Sequence, residues 1–235
     1  MHGLTVVFDL DGTLVDTAPD LAGATNHVLA HLGLSGLPAE TLRPWVSYGA
    51  RRMITEALAQ SRNPLPAAAI DELLERFLAF YSRNIAQESR PFDGVVGELD
   101  RLRALGITLA VCTNKREELS RSLLHELRLT SYFAAIAGRD TFPVSKPHPD
   151  HLIGAIRLAG GDPGRAIMIG DSAVDIAAAR AAEVPVIGVS FGYTETPVRE
   201  LSPDAVIDSY AELWPAIQRL ARRSGAAPDG SDAGA

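Results

Sequence analysis

Residues Leu4-Thr-Val-Val-Phe-Asp-Leu-Asp-Gly-Thr-Leu14 decide the fold. Leu4 to Phe8 is a short apolar run rich in β-branched side chains. It ends in two aspartates two positions apart, Asp9 and Asp11, and Gly12 then breaks it. An apolar run of this length, punctuated by glycine, reads as a strand buried on both faces, the kind found in parallel sheets. Similar runs recur at 107–113, 134–138, 166–170 and 186–190, with a weaker one at 205–207.

Helical patterns lie between these runs. Val95, Val96, Leu99, Leu102 and Leu105 recur at helical spacing, with Gly106 at the C-terminal cap position. Leu119, Leu123, Leu124 and Leu127 make a second stripe. Further helices are predicted over 150–159, entered by Pro149 and stopped by Gly160-Gly161, over 172–183, closed by Pro185, and over 210–222. Strand and helix alternating at this interval predict an α/β fold, a doubly wound parallel sheet of Rossmann-like type.

One segment breaks the alternation. No strand is predicted from 16 to 88, where 20–32 and 41–59 read as helices. Ile70, Leu73, Leu74, Phe77, Leu78 and Tyr81 form a continuous helical stripe, and Pro64 and Pro66 interrupt the segment. A helical block of this length far exceeds an ordinary crossover. It reads as an all-helical cap, 16–88, inserted after the first strand over the carboxyl edge of the sheet. The sheet core is then 1–15 with 89–223, and the small, polar residues 224–235 are expected to be a disordered tail.

Composition narrows the function. The chain has 235 residues, 46% hydrophobic, with 22 basic against 29 acidic residues and a net charge of −7. That balance argues against a dedicated nucleic-acid or anionic-membrane binder. Cys112 is the only cysteine, so no intramolecular disulfide and no cysteine-based zinc site is expected, and it reads as a core residue. No apolar run approaches the ~20 residues of a spanning helix. The first residues enter a strand without a basic leader region, so the expected location is the cytoplasm. Neither a P-loop nor a GxGxxG pattern supports a nucleotide cofactor.

Ligands of doubly wound sheets bind beyond the carboxyl ends of the strands. There the sequence places Asp9, Asp11, Gly12 and Thr13, then Thr113-Asn114-Lys115, then Ser145-Lys146-Pro147, then Gly170-Asp171-Ser172 with Asp175. Each piece alone has a plain structural reading: a turn, a helix cap, a surface lysine. Together they fall in order on one edge. Carboxylates converging there repel one another unless a cation is bound. An all-oxygen donor set favours Mg²⁺, and a lysine with hydroxyls and turn amides suits a tetrahedral dianion.

Asp9-Leu-Asp-Gly-Thr-Leu14, Thr113-Asn114, Lys146-Pro-His-Pro149 and Gly170-Asp-Ser-Ala-Val-Asp175 resemble, in order and approximate spacing, the four motifs of the haloacid dehalogenase superfamily, over residues 5 to about 208. The helical insert matches that superfamily's cap. Within it, Asp16-Thr-Ala-Pro-Asp-Leu21, Ser47-Tyr-Gly-Ala-Arg51 and Phe191-Gly-Tyr193 are similar to the bacterial phosphoglycolate phosphatase group.

The resemblance implies a Mg²⁺-dependent phosphomonoester hydrolase working through an aspartyl-phosphate, with 2-phosphoglycolate giving glycolate and phosphate. By similarity, Asp9 is the nucleophile and Asp11 the acid and base. Asp9, the Asp11 carbonyl and Asp171 hold the metal, while Thr113, the Asn114 amide and Lys146 bind the phosphoryl group. Gly12, Ser172 and Asp175 support these groups. Gly12 is expected to leave an amide free for phosphate, and Asp175 to orient Lys146 or a water on the metal. Tyr48, Gly49, Ala50 and Arg51 are the candidates for substrate selection, Arg51 by pairing with a substrate carboxylate.

The partner implied is a small anionic phosphate ester, with neither nucleic acid nor membrane, for a monomer or homodimer. Rival readings are a sugar-phosphate phosphatase, acting for example on N-acetylmuramic acid 6-phosphate, and a phosphomutase. A rival of another class is a non-catalytic phospho-acceptor or regulatory module. A phosphonoacetaldehyde hydrolase would need a lysine in the cap, and none precedes Lys115.

Overall fold

The computed structural model describes residues 3–224. In chain order the strands are β1 (Thr5–Phe8), β2 (Val15–Asp16), β3 (Arg90–Pro91), β4 (Thr108–Cys112), β5 (Ala135–Ala137), β6 (Ala166–Gly170), β7 (Val186–Val189) and β8 (Ala205–Ile207). The α-helices are α1 (Ala18–His31), α2 (Ala39–Leu42), α3 (Ala50–Gln60), α4 (Ala67–Arg83), α5 (Val95–Ala104), α6 (Glu117–Glu126), α7 (Pro149–Leu158), α8 (Ala173–Ala181) and α9 (Leu213–Ser224).

Six strands form one sheet in the order β5-β4-β1-β6-β7-β8, and every neighbouring pair is parallel. The chain first builds outward from β1 through β4 and β5. It then returns to the other side of β1 with β6. The strand order therefore reverses between β1 and β6, and the crevice at their carboxyl ends is where open α/β sheets bind ligands.

Side chains alternate across the sheet as the two-residue strand period requires. Val6 and Phe8 face one layer with Leu99 of α5, Leu123 of α6 and Ile217 of α9. Val7 faces the other with Leu152 of α7 and Ile176 of α8. Strands covered on both faces need apolar residues at every position, which is why the runs read so clearly.

The helical segment differs in detail from the sequence reading. The helix expected over 41–59 is broken in three: α2, a 3₁₀ stretch Arg43–Tyr48, and α3. Pro44 sits at the start of the 3₁₀ stretch, and Gly49 adopts φ +84°, a left-handed conformation that ends one helix and opens the next. The stripe on α4 is real: Ile70, Leu73, Phe77 and Tyr81 are buried, packed with Leu21, Val28, Met53 and Ala57 of α1 and α3. Each such large side chain contributes about 1.5–3 kcal/mol relative to exposure.

Two short strands frame the segment. Val15 and Asp16 pair antiparallel with Pro91 and Arg90, so Asp16, expected in a strand-free stretch, lies in β2. Inside this ribbon, Asp20 accepts from Glu88 N at 3.0 Å, Ser89 N at 2.8 Å and Ser89 Oγ at 2.6 Å. The incoming and outgoing chains are thereby tied together. Helix α9 continues through Ser224, and 225–235, where the tail was expected, lie outside the described residues.

Candidate active site

The carboxyl ends of β1 and β6 bring Asp9, Asp171 and Asp175 together: one carboxylate oxygen from each lies within 4.8 Å of the others, and all three residues are buried. Asp9 follows β1 directly, anchored by its N–H to Ile169 O of β6 at 2.9 Å. Asp171 follows β6 directly. Its Oδ1 accepts from Thr13 Oγ1 at 3.1 Å and its Oδ2 from Tyr193 N at 2.8 Å. Ser47, on the helical segment, points its hydroxyl at the same Oδ2 over a long 3.4 Å.

Asp175 is fully committed to protein partners. Its Oδ2 accepts from Ser172 N at 3.0 Å and Ser172 Oγ at 2.6 Å, closing the first turn of α8. Its Oδ1 accepts from Lys146 Nζ at 2.6 Å. The same ammonium lies 2.9 Å from Asp9 Oδ1. Lys146 is itself set in place through its backbone: its N–H donates to His151 Nδ1 at 3.1 Å and its carbonyl accepts from Asn114 Nδ2 at 2.9 Å. His151 Nε2 faces Gly138 O at 2.9 Å. The acceptor Nδ1 and donor Nε2 make it a neutral imidazole, and burial holds its pKa below the usual histidine range.

The electrostatics are those of a site short of positive charge. Burial pushes the Asp9 carboxyl up to about 6, with Lys146 opposing the rise and Asp175 adding to it. Burial, then Asp175 and Asp9, hold Asp171 well above the ordinary carboxylate range. For Lys146 burial pulls downward, but Asp175 and Asp9 outweigh it, so the ammonium is held charged. Three buried carboxylates gather here around one lysine, which reaches only Asp9 and Asp175. A divalent cation relieves that imbalance, and the donors are all hard oxygens. Asp9 and Asp171 fit the metal. Asp175, with both oxygens engaged, supports Lys146 instead.

Gly12 corrects one expectation. Its N–H is not free for a phosphate, because it donates to Val15 O at 3.0 Å to close the turn into β2. Its φ of +82° and the place its Cβ would occupy, 2.6 Å from Asp171 Oδ2, explain why glycine stands there.

Asp11 is not part of the carboxylate group. Both its oxygens are held by Lys115 Nζ, at 3.0 and 3.1 Å. Thr113 Oγ1 accepts from Lys115 N at 3.2 Å, and Asn114 Oδ1 is buried without a hydrogen-bond partner. A cavity of about 440 Å³ opens over these groups, floored by Asp9, Asp11, Thr113 and Lys146 and walled by helices of the inserted segment. Tyr48, Gly49, Ala50 and Arg51 all line it. Arg51 is half-exposed and pairs with Asp71, and the Tyr48 hydroxyl donates to Glu195 Oε2 at 3.3 Å.

Residues 6–189 match the family described as haloacid dehalogenase-like hydrolase. The chain belongs to that family. Among the haloacid dehalogenase-like hydrolases, a phosphoglycolate phosphatase of Agrobacterium fabrum is 52% identical over 94% of this chain and 95% of its own length. One of Mesorhizobium japonicum is 48% identical over 94% and 97%. A solved structure from Haemophilus somnus, described as a predicted phosphoglycolate phosphatase, superposes with a TM-score of 0.84. It is 30% identical and covers 92% of this chain and 98% of its own.

Three residues of this hydrolase were given no role by the sequence. Lys115 holds Asp11, His151 braces Lys146, and Tyr193 holds Asp171. A signal existed for Lys115. The chain has only two lysines, Lys115 just after β4 and Lys146 in the loop after β5, and both reach the site. No helix of the described residues is long and apolar enough to cross a membrane.

Proposed function

We propose that this chain is a Mg²⁺-dependent phosphomonoester hydrolase that converts 2-phosphoglycolate to glycolate and phosphate in the cytoplasm. One observation carries the reading: Asp9, buried beside Asp171, has a lysine 2.9 Å away that a second aspartate holds in place. A nucleophilic carboxylate needs such surroundings, with positive charge waiting where a phosphoryl dianion arrives. The phosphoglycolate phosphatase relatives favour phosphoglycolate as the substrate.

In this reading an Asp9 oxygen attacks phosphorus and the bond to the ester oxygen breaks. Asp11 gives its proton to the departing oxygen. Water then attacks the phosphorus of the Asp9 acyl phosphate while Asp11 takes a proton from it. Phosphate leaves and the Asp9 carboxylate is restored. Thr113, the Asn114 amide and Lys146 hold the phosphoryl oxygens, and Asp175 keeps Lys146 directed at them. Asp9, the Asp11 carbonyl and Asp171 would hold Mg²⁺, which supplies charge neutralisation. Residues 16–88 act as a cap on the core formed by 1–15 and 89–223.

The cavity size favours a second reading. A space of about 440 Å³ lies in the range that encloses ligands far larger than a two-carbon ester, so a sugar phosphate is the rival substrate. Measuring kcat/KM for 2-phosphoglycolate beside N-acetylmuramic acid 6-phosphate and hexose phosphates, with Mg²⁺ and with EDTA, tests both. Preference for phosphoglycolate with loss of turnover in EDTA supports the first reading. Preference for a sugar phosphate replaces it with the second, and EDTA-insensitive turnover contradicts the metal site.

A further inference from the structure

The group meant to move protons stands apart from the carboxylate cluster. Asp11 follows β1 and Lys115 follows β4, so the two are brought together only by the pairing of those strands. Lys115 Nζ reaches both Asp11 oxygens at 3.0 and 3.1 Å, and the two side chains are only 5% and 15% exposed. The other face of the ammonium is covered by Tyr81 of α4, whose ring centroid lies 4.5 Å from Nζ. That is within the reach of a cation–π contact. Tyr81 is itself buried. A core aspartate, a core lysine and an aromatic ring of the inserted helices thus form one stack lining the cavity.

We propose that Lys115 is the positioning residue of Asp11, fixing its carboxylate for proton transfer, and that Tyr81 of the helical cap holds Lys115 to that task. The proposal rests on the reading of Asp11 as acid and base. Two hydrogen bonds from one ammonium remove the rotational freedom of an otherwise lightly held carboxylate. Proton transfer is sensitive to such placement, and a displacement of about 1 Å costs on the order of a hundredfold in rate. Because Tyr81 belongs to the inserted helices, the placement of Asp11 is coupled to the seating of those helices on the core.

The experiment is a double-mutant cycle on the full chain with 2-phosphoglycolate and Mg²⁺. Lys115→Met is expected to lower kcat roughly ten- to a hundredfold with KM little changed, and Lys115→Arg, which keeps the charge, to recover part of the loss. In an Asp11→Asn background, Lys115→Met is expected to cost nothing further, because the group it serves is gone. Tyr81→Leu lowers kcat in the same direction, and Tyr81→Phe, which keeps the ring face, loses less. Should Lys115→Met fail to fold, Lys115→Gln and Tyr81→Leu carry the same comparison.

A rise in KM at constant kcat overturns the proposal and makes Lys115 a substrate-binding cation. An equal loss from Lys115→Met with and without Asp11 overturns it too. Wild-type turnover by Asp11→Asn alone is a different failure, that of the acid–base reading beneath it.

Discussion

The Tyr193 backbone N–H donates to Asp171 Oδ2 at 2.8 Å, and the phenol of the same residue donates to Asp16 Oδ1 at 2.5 Å. One residue of the loop after β7 therefore holds both a candidate metal ligand and the ribbon leading into the helical segment. The phenol oxygen also accepts from Thr17 N at 2.7 Å and Ala18 N at 3.1 Å, and Arg43 lies over the ring, 4.7 Å from its centroid.

Tyr193→Phe deprives these buried N–H groups and Asp16 of their common partner. Unsatisfied buried groups cost about 1–3 kcal/mol. The expected outcome is an unfolding free energy lower by that amount, read as a lower urea midpoint at unchanged m-value. An unchanged midpoint would mean that water replaces the phenol without loss.

The metal-free protein should lose stability as pH rises. Burial raises the Asp9 carboxyl from 3.8 to about 6, so between those values the folded state holds a proton that the unfolded chain has released. Stability from this group is present below the lower value and is lost as pH passes the upper one. Asp171 is raised in the same direction. Bound Mg²⁺ opposes the loss, so the gain in Tm on adding Mg²⁺ should grow from pH 4 to pH 7. Asp9→Asn removes its share of the slope and most of that gain.

Asp175 is the anchor of Lys146 and of the α8 turn. Asp175→Ala strips a buried ion pair of one member, a change that costs about 3–5 kcal/mol in such settings. It also frees the ammonium to collapse onto Asp9. Both a lower Tm and a lower kcat are expected. A kcat loss without any stability loss would give Asp175 a part in the chemistry beyond holding Lys146.

At Gly12 a Cβ meets Asp171 Oδ2 at 2.6 Å in a left-handed backbone. Gly12→Ala should therefore cost about 1–2 kcal/mol from the backbone alone. It should also weaken Mg²⁺ binding, read by titration calorimetry. Unaltered Mg²⁺ affinity would detach Gly12 from the metal site.

The sheet was legible because its inner strands are covered on both faces, so local composition carries the signal, and Thr5–Phe8 and Ala166–Gly170 fall where the apolar runs predict. The split of the 41–59 helix was not. Proline and glycine were visible at 44 and 49, but the apolar spacing on either side stayed helical through the break. The ribbon of Val15–Asp16 and Arg90–Pro91 is too short for a period-two pattern to register. In the site, Asp9 and Asp171 stand at strand ends and Lys146 in the loop after β5, and their order along the chain made them legible. Lys115 and Tyr193 act through partners that only the folded chain brings near, Asp11 and Asp16, at sequence separations no local pattern spans; His151 stands only five residues from Lys146, but its contact is to a backbone N–H, which no side-chain pattern encodes.

In the proposed mechanism Asp9 carries the phosphoryl group in transit. Acid quenching of the enzyme during turnover with 2-phosphoglycolate and Mg²⁺, followed by peptide mass spectrometry, tests it most directly. The expected result is a peptide containing Asp9 heavier by one phosphoryl group, present in the wild type and absent in Asp9→Asn. Turnover with no such adduct, or an adduct on a different residue, would contradict it.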